Sequence, residues 1–218
     1  MKAGFAVIGL GRFGRSVART LTRLGHPVLA IDTTKELVQE LATEVEAAVC
    51  IDTTDQEALE ELELDKFQSV IIGIGEASLE SSILTTTLLH QMGVKHIVAR
   101  AIHDLHARVL LAVGAHEVVN PEAEIGKRVA ERIATPSVVD QLDIGDDMRL
   151  AEVETPQVFV GRSLSELDVR NRYDLSIVAI KRAGNIIPNP KGGEVVEKLD
   201  ILVVIGNPSA VRRLASKV

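Results

Sequence analysis

Short unbroken apolar runs alternate with stretches of helical period along the first 120 residues. FAVIG (5–9) leads into Val17, Leu21 and Leu24; VLAID (28–32) into Leu37 and Leu41; AAVCI (47–51) into Leu59 and Leu62. The rhythm continues with SVIIGIG (69–75) and a helix from Ile83 to Leu89, then HIVAR (96–100) and a helix from Val109 to Val113, then HEVVN (116–120). Strand and helix in turn predict βαβ units. Strands without polar alternation belong in a sheet covered on both faces. The predicted first fold is therefore α/β, a Rossmann-like doubly wound parallel sheet of six strands.

The rhythm breaks at Asn120-Pro121, where a helical stretch follows that leads through Thr135-Pro136 to Asp143-Ile144-Gly145-Asp146-Asp147 with no core strand expected. Ile125, Val129 and Ile133 form a narrow apolar stripe on that otherwise charged helix. Such a stripe seeks a partner, either its own sheet or a second subunit. From Met148 the pattern changes to half-exposed strands: MRLAEVETP alternates, SIVAIKR and NIIPN flank Ala183-Gly184 as a hairpin, and DILVVIG precedes a short terminal helix. Asp200 and Gly192-Gly193 read as turns, and Pro188 and Pro190 suit an edge or loop. Two domains are expected, 1–135 and 136–218, the second a small α+β module.

The chemistry concentrates where the first strand runs into Gly9-Leu10-Gly11-Arg12-Phe13-Gly14. Gly9 suits the tight turn, Gly11 lets backbone approach a pyrophosphate, and Gly14 lets the helix pack closely, so that phosphate can sit on free helix N–H groups. Asp32 ends the second strand, placed to accept from both ribose hydroxyls and to repel a 2′-phosphate. That favours NAD(H), ATP or ADP over NADP. Arg12 offers a forked donor to outer phosphates. Asp52, with Thr53 beside it, follows the third strand, where it can accept from an adenine amino group or serve as a plain cap or turn acid. Gly73, Ile74 and Gly75 form either a close-approach turn over the nucleotide or an ordinary tight turn. Arg100 closes the fifth strand on the same edge, and Glu122 suits the dipole at the start of the next helix.

Net charge is −7, with 24 Lys+Arg against 31 Asp+Glu and no long block of one sign, so a general nucleic-acid surface is not expected. No run of about eighteen apolar residues occurs and the chain opens on a strand, so neither a membrane span nor a signal peptide is expected, and the protein reads as soluble and intracellular. The single cysteine, Cys50, is expected to be a buried small hydrophobe. His103 and His106 lack a third ligand at zinc spacing and read as polar positions on the fifth helix.

These segments resemble the RCK or KTN family, the cytosolic regulatory subunits of bacterial Ktr and Trk potassium uptake systems. GLGRFG, Asp32, Asp52-Thr53-Thr54, ILTTTLLHQMG, VARAIHDLHARVLLAVGAHEVVNPE, DLSIVAIKRAGNIIPNP and LDILVVIG carry the resemblance over nearly the whole chain. One departure is Ile51, which precedes the acid where the family usually has glycine. The resemblance implies an adenine nucleotide (ATP or ADP) or NAD(H) in an N-terminal Rossmann domain, with Arg100 on phosphate. It implies homodimers assembled into an octameric ring that gates a potassium-translocating membrane subunit, KtrB- or TrkH-like, from the cytoplasmic side. It further implies a divalent cation, Mg²⁺ or Ca²⁺, shared by symmetry-related copies of Glu122, and cyclic di-AMP in the C-terminal module. Arg170, Asn171, Arg172 and Tyr173 stand where a small anionic effector would lie between two such modules.

The competing class is an NAD-dependent oxidoreductase, which shares the fingerprint. It needs a proton-transfer group and a substrate pocket. The only tyrosine, Tyr173, has Ile177 four residues on rather than lysine, and the residues after the first domain are too few and too apolar for a catalytic domain. The expectation is a sensor and not an enzyme.

Overall fold

The computed structural model describes residues 4–75, 78–145 and 147–218. The chain folds into two compact units, divided between Glu124 and Ile125.

The first unit contains β1 (Phe5–Ile8), α1 (Arg12–Arg23), β2 (Val28–Asp32), α2 (Lys35–Leu41), β3 (Ala47–Cys50), α3 (Gln56–Glu60), β4 (Ser69–Ile72), α4 (Leu79–Gln91), β5 (Ile97–Arg100), α5 (Asp104–Ala112) and β6 (Glu117–Val119). Its strands form one parallel sheet in the order β3-β2-β1-β4-β5-β6. Alternate residues feed two cores. Ala6, Ile8, Leu29, Ile31, Val70 and Ile72 face one layer, whereas Val7, Val28, Ala30 and Ile71 face the other. That is why β1, β2 and β4 read as unbroken apolar runs. The strand order reverses between β1 and β4, and ligands of doubly wound sheets bind at the C-terminal ends of strands beside such a reversal.

Helix α6 (Pro121–Ala134) follows, with the division between units inside it. The second unit adds β7 (Val138–Gly145), β8 (Met148–Glu154), α7 (Leu164–Leu167), α8 (Val169–Tyr173), β9 (Leu175–Arg182), β10 (Asn185–Pro188), β11 (Ile201–Gly206) and α9 (Pro208–Ala215). Its sheet is antiparallel in the order β10-β9-β11-β8-β7. The hairpin at Ala183-Gly184 forms as expected, with both residues at positive φ (+46° and +81°), the geometry of a type I′ turn. The terminal helix is capped by Asn207, whose side chain accepts from the Ala210 N–H, with Pro208 in the first turn.

Several expectations are corrected. The stretch after Pro136 holds no core strand, as expected, but it does hold an edge strand the pattern did not announce: β7 pairs with β8 from Val138↔Val153 to Gly145↔Met148. Only Val138 of β7 is buried, because β7 lies at the sheet's edge, so it carries little of the apolar signal that announces a strand. Cys50 is exposed rather than buried, since it ends the edge strand β3, and its Sγ lies 3.4 Å from the Thr33 carbonyl. His103 precedes α5 as its cap, with Nδ1 accepting from the His106 N–H at 3.0 Å. His106 is buried, and that burial, followed by the nearby His103, pushes its imidazole below the usual histidine range. The stripe of Ile125, Val129 and Ile133 stays exposed, by 56%, 40% and 70%. Asp200 does close a turn, its N–H donating to the Glu197 carbonyl at 3.2 Å, and its carboxylate is buried, 2% exposed, and held by Arg182.

Candidate functional site

At the C-terminal end of β1 the backbone turns at Gly9, with φ +86°. A Cβ there would lie 2.8 Å from the Ile74 N, so the loop after β4 packs directly against the loop after β1. Gly14 is tighter still: a Cβ would come within 1.9 Å of the Gly9 carbonyl oxygen. Gly11 is different, because a Cβ on it would meet nothing within 4 Å. Two of the three glycines therefore serve close packing, and the third borders open space at the N-terminus of α1. Among the described residues no side chain caps that terminus, and no acid occupies its first turn. Unpaired amides with no acid in the helix's own first turn suit an anionic group.

Asp32 anchors this loop. Its Oδ2 accepts from the Leu10 N–H at 2.6 Å and its Oδ1 from the Thr34 N–H at 2.8 Å. Each carboxylate oxygen has a further lone pair for a ribose hydroxyl. The spacing of motif and acid did not reveal this second, structural duty of Asp32.

Asp52 heads a turn in which the Thr54 N–H and hydroxyl donate to Oδ1 at 2.9 and 2.7 Å. Those bonds, the main-chain one foremost, hold its carboxyl below the usual aspartate range. Thr53 points inward: it is buried, and its hydroxyl lies 2.8 Å from that of Thr85 on α4. Phe13 is likewise packed on the core containing Val7, Leu10 and Ala18. Arg12 begins α1 and lies in a row with Arg15, Arg19 and Arg23 on its outer face. Arg15 and Arg19 pair with Glu40 of α2, and Arg19 also with Glu44 just beyond it.

Gly73 and Ile74 meet the Gly9 turn, and Gly75 meets Arg100, whose Nη1 is 3.6 Å from where a Gly75 Cβ would sit. The Arg100 Nη2 in turn donates to Oε1 of Glu122, in the first turn of α6. Gly9, Gly73–Gly75, Arg100 and Glu122 thus form a continuous chain of neighbours. Among the described residues no group of three or more His, Cys, Asp or Glu is placed to hold a metal ion.

In the second unit, Arg170 donates to the Ser176 hydroxyl at 3.3 Å, Asn171 to Asp168 at 2.7 Å, and the Tyr173 ring packs edge-on against Phe159. Arg170 borders a shallow depression with Leu164, Asp168, Ile177 and Pro190.

Residues 5–121 match the TrkA-N domain and residues 148–218 the TrkA-C domain. Over 218 residues the chain is 40% identical to Ktr system potassium uptake protein C of Bacillus subtilis (strain 168), covering 100% of this chain and 98% of that relative. This chain belongs to the TrkA-N and TrkA-C family that includes the Ktr potassium uptake proteins. Ktr system potassium uptake protein A of the same organism is 33% identical over 213 residues, 98% of this chain and 96% of that one. Among solved structures, the GsuK RCK domain covers 100% of the chain and 48% of its own at a TM-score of 0.67 and 19% identity, which shows the shared fold. The NAD(P)-binding domain of an exopolyphosphatase-related protein from Archaeoglobus fulgidus covers 61% of this chain and 98% of its own at 25% identity and a TM-score of 0.54. None of the described helices is long and apolar enough to cross a membrane.

Proposed function

We propose that this chain is a nucleotide-sensing regulatory subunit of a potassium uptake system, acting at the cytoplasmic face on a separate potassium-translocating membrane subunit. What carries this reading is its likeness to Ktr system potassium uptake protein C along the entire chain. The nucleotide part rests on the open space over Gly11, the uncapped start of α1 and the carboxylate of Asp32 beside it. ATP, ADP or NAD(H) would lay its diphosphate on the amides, its ribose on Asp32 and its base toward Asp52. Arg12 and Arg100 are the cations available to outer phosphates. A solved GsuK channel of the same fold is bound to NAD. The ligand would bias the assembly between two states only by its difference in affinity for them, and about 1–3 kcal/mol is ordinary coupling. The working assembly is read as homodimers in an octameric ring, with 1–135 as the nucleotide-binding domain and 136–218 as the effector and assembly domain, where an anion such as cyclic di-AMP would meet Arg170. A divalent cation would join at Glu122, with a second copy or a phosphate contributing to its shell.

The test is thermal stability of the purified protein with ATP, ADP, NAD⁺ and NADH, followed by potassium flux through vesicles holding the membrane subunit with and without this chain. Stabilisation by at least one nucleotide, and flux that depends on both chain and nucleotide, are expected. Indifference to all four ligands would remove the sensor reading, and consumption of NADH with a small carbonyl compound would replace it with an oxidoreductase.

Two further outcomes are expected. Asp32→Asn keeps an acceptor for the Leu10 N–H but loses the charge on the ribose hydroxyls, so nucleotide affinity measured by calorimetry should fall about tenfold or more. Ile133→Glu puts a charge in the exposed stripe of α6; size-exclusion chromatography with light scattering should then show a smaller assembly if the stripe is a subunit contact.

A further inference from the structure

Arg100 is peculiarly partnered. Its side chain is 17% exposed, yet the buried Nε meets no acceptor among the described residues, and its ionic partner is Glu122, whose own side chain is 62% exposed. A guanidinium has five N–H donors in a fixed fork, and an orphaned buried one is a standing cost. The partner is poorly matched: it comes from the exposed first turn of a helix and binds through one oxygen to one nitrogen. A phosphate offers more oxygens and more charge to the same fork. The place is also right, because Arg100 abuts Gly75 across the turn that packs on Gly9.

We infer that Glu122 is a built-in competitor for the anionic ligand: its carboxylate occupies Arg100 until an outer phosphate takes the guanidinium over and releases Glu122. This inference rests on the nucleotide reading above. The exchange makes the site selective for outer charge. A ligand ending in a phosphate group displaces the carboxylate and gains Arg100, whereas a dinucleotide whose phosphates are both internal has less to offer there. Release of Glu122 also frees the first turn of α6, a helix with no buried residue, so the exchange links ligand charge to that helix.

The experiment is calorimetric binding of ATP, ADP and NAD⁺ in EDTA to wild type, Glu122→Gln, Arg100→Gln and the double variant. EDTA removes any contribution of a cation at Glu122. Removing the competitor should tighten ATP about two- to fivefold, in keeping with a partly exposed ion pair. NAD⁺ should change by less than about twofold, on the same scale. With Arg100 already replaced, adding Glu122→Gln should bring no further gain, which is the coupling that marks direct competition. Unchanged or weaker ATP binding by Glu122→Gln, or the same gain in the absence of Arg100, would overturn the inference while leaving the nucleotide reading intact. A wild type that binds none of the three ligands would instead remove the reading on which it stands.

Discussion

Gly14→Ala is expected to unfold or severely loosen the first unit, by about 3 kcal/mol and with a melting temperature lower by about 10 °C. The added methyl would lie 1.9 Å from the Gly9 carbonyl oxygen, and that obstacle is backbone in the turn joining β1 to α1. Relief requires α1 to back away from β1, which opens the packing of Ala18 and Val17 on Val7 and Leu10. Interiors packed to crystal density do not absorb such a shift cheaply. Gly11→Ala separates fold from site. Its backbone sits at φ −62° and ψ −170°, open to any residue, and the new methyl meets nothing within 4 Å. Stability should change by less than about 1 kcal/mol. Nucleotide-dependent stabilisation should nevertheless disappear, because the methyl occupies the approach of the diphosphate. Thermal melts of the two variants with and without ATP and NAD⁺ check both halves. A stable Gly14→Ala protein, or a Gly11→Ala protein that binds normally, would contradict the assignment of these two glycines.

The second large effect lies in the C-terminal unit. Arg182 donates to Asp200 through Nε (2.8 Å) and Nη2 (2.7 Å), reaches the Val195 carbonyl at 2.8 Å, and pairs with Glu194 and Glu197 at 3.1 and 3.0 Å. One arginine thereby ties β9 to the 194–200 loop that leads into β11. Burial works to raise the Asp200 carboxyl, but the Arg182 hydrogen bonds, a Glu197 N–H and the arginine charge outweigh it and hold the group below its ordinary value. Arg182→Met leaves this carboxylate buried with the Glu197 N–H (2.8 Å) as its remaining donor among the described residues. Loss of about 3 kcal/mol is expected, the low end for breaking a buried pair because Arg182 is itself 24% exposed.

The pH dependence should reverse between the two proteins. In wild type the folded state holds Asp200 below its unfolded value, so this contribution is complete above about pH 4 and fades as pH falls through the folded pKa. In Arg182→Met the uncompensated burial raises the carboxyl instead. The penalty is then largest at neutral pH and relaxes as the pH falls far enough to protonate Asp200. Urea denaturation from pH 3 to pH 8 would show the two curves converging in acid. Parallel curves would mean that Asp200 is not the group responsible.

Periodicity and motif spacing were enough to read the six-strand parallel sheet, the glycine turn with Asp32 in register, and the Ala183-Gly184 hairpin. Each of these is written into short runs of chain: a buried strand is apolar at successive positions, and a turn at positive φ demands particular residues. The family was legible as well, because its signature segments are spread over nearly the whole chain. Tertiary structure alone decided which groups meet. It joined Asp32 to the Leu10 N–H across 22 positions, Arg100 to Glu122 across 22, and Arg182 to Asp200 across 18. It also turned Thr53 inward to Thr85, left Cys50 at an exposed edge, and built β7 from a segment with one buried residue. An edge strand is held by hydrogen bonds to its neighbour more than by burial, and a side-chain pair depends on where two distant strand ends arrive. Neither property has a local period, so only the packed fold reveals it.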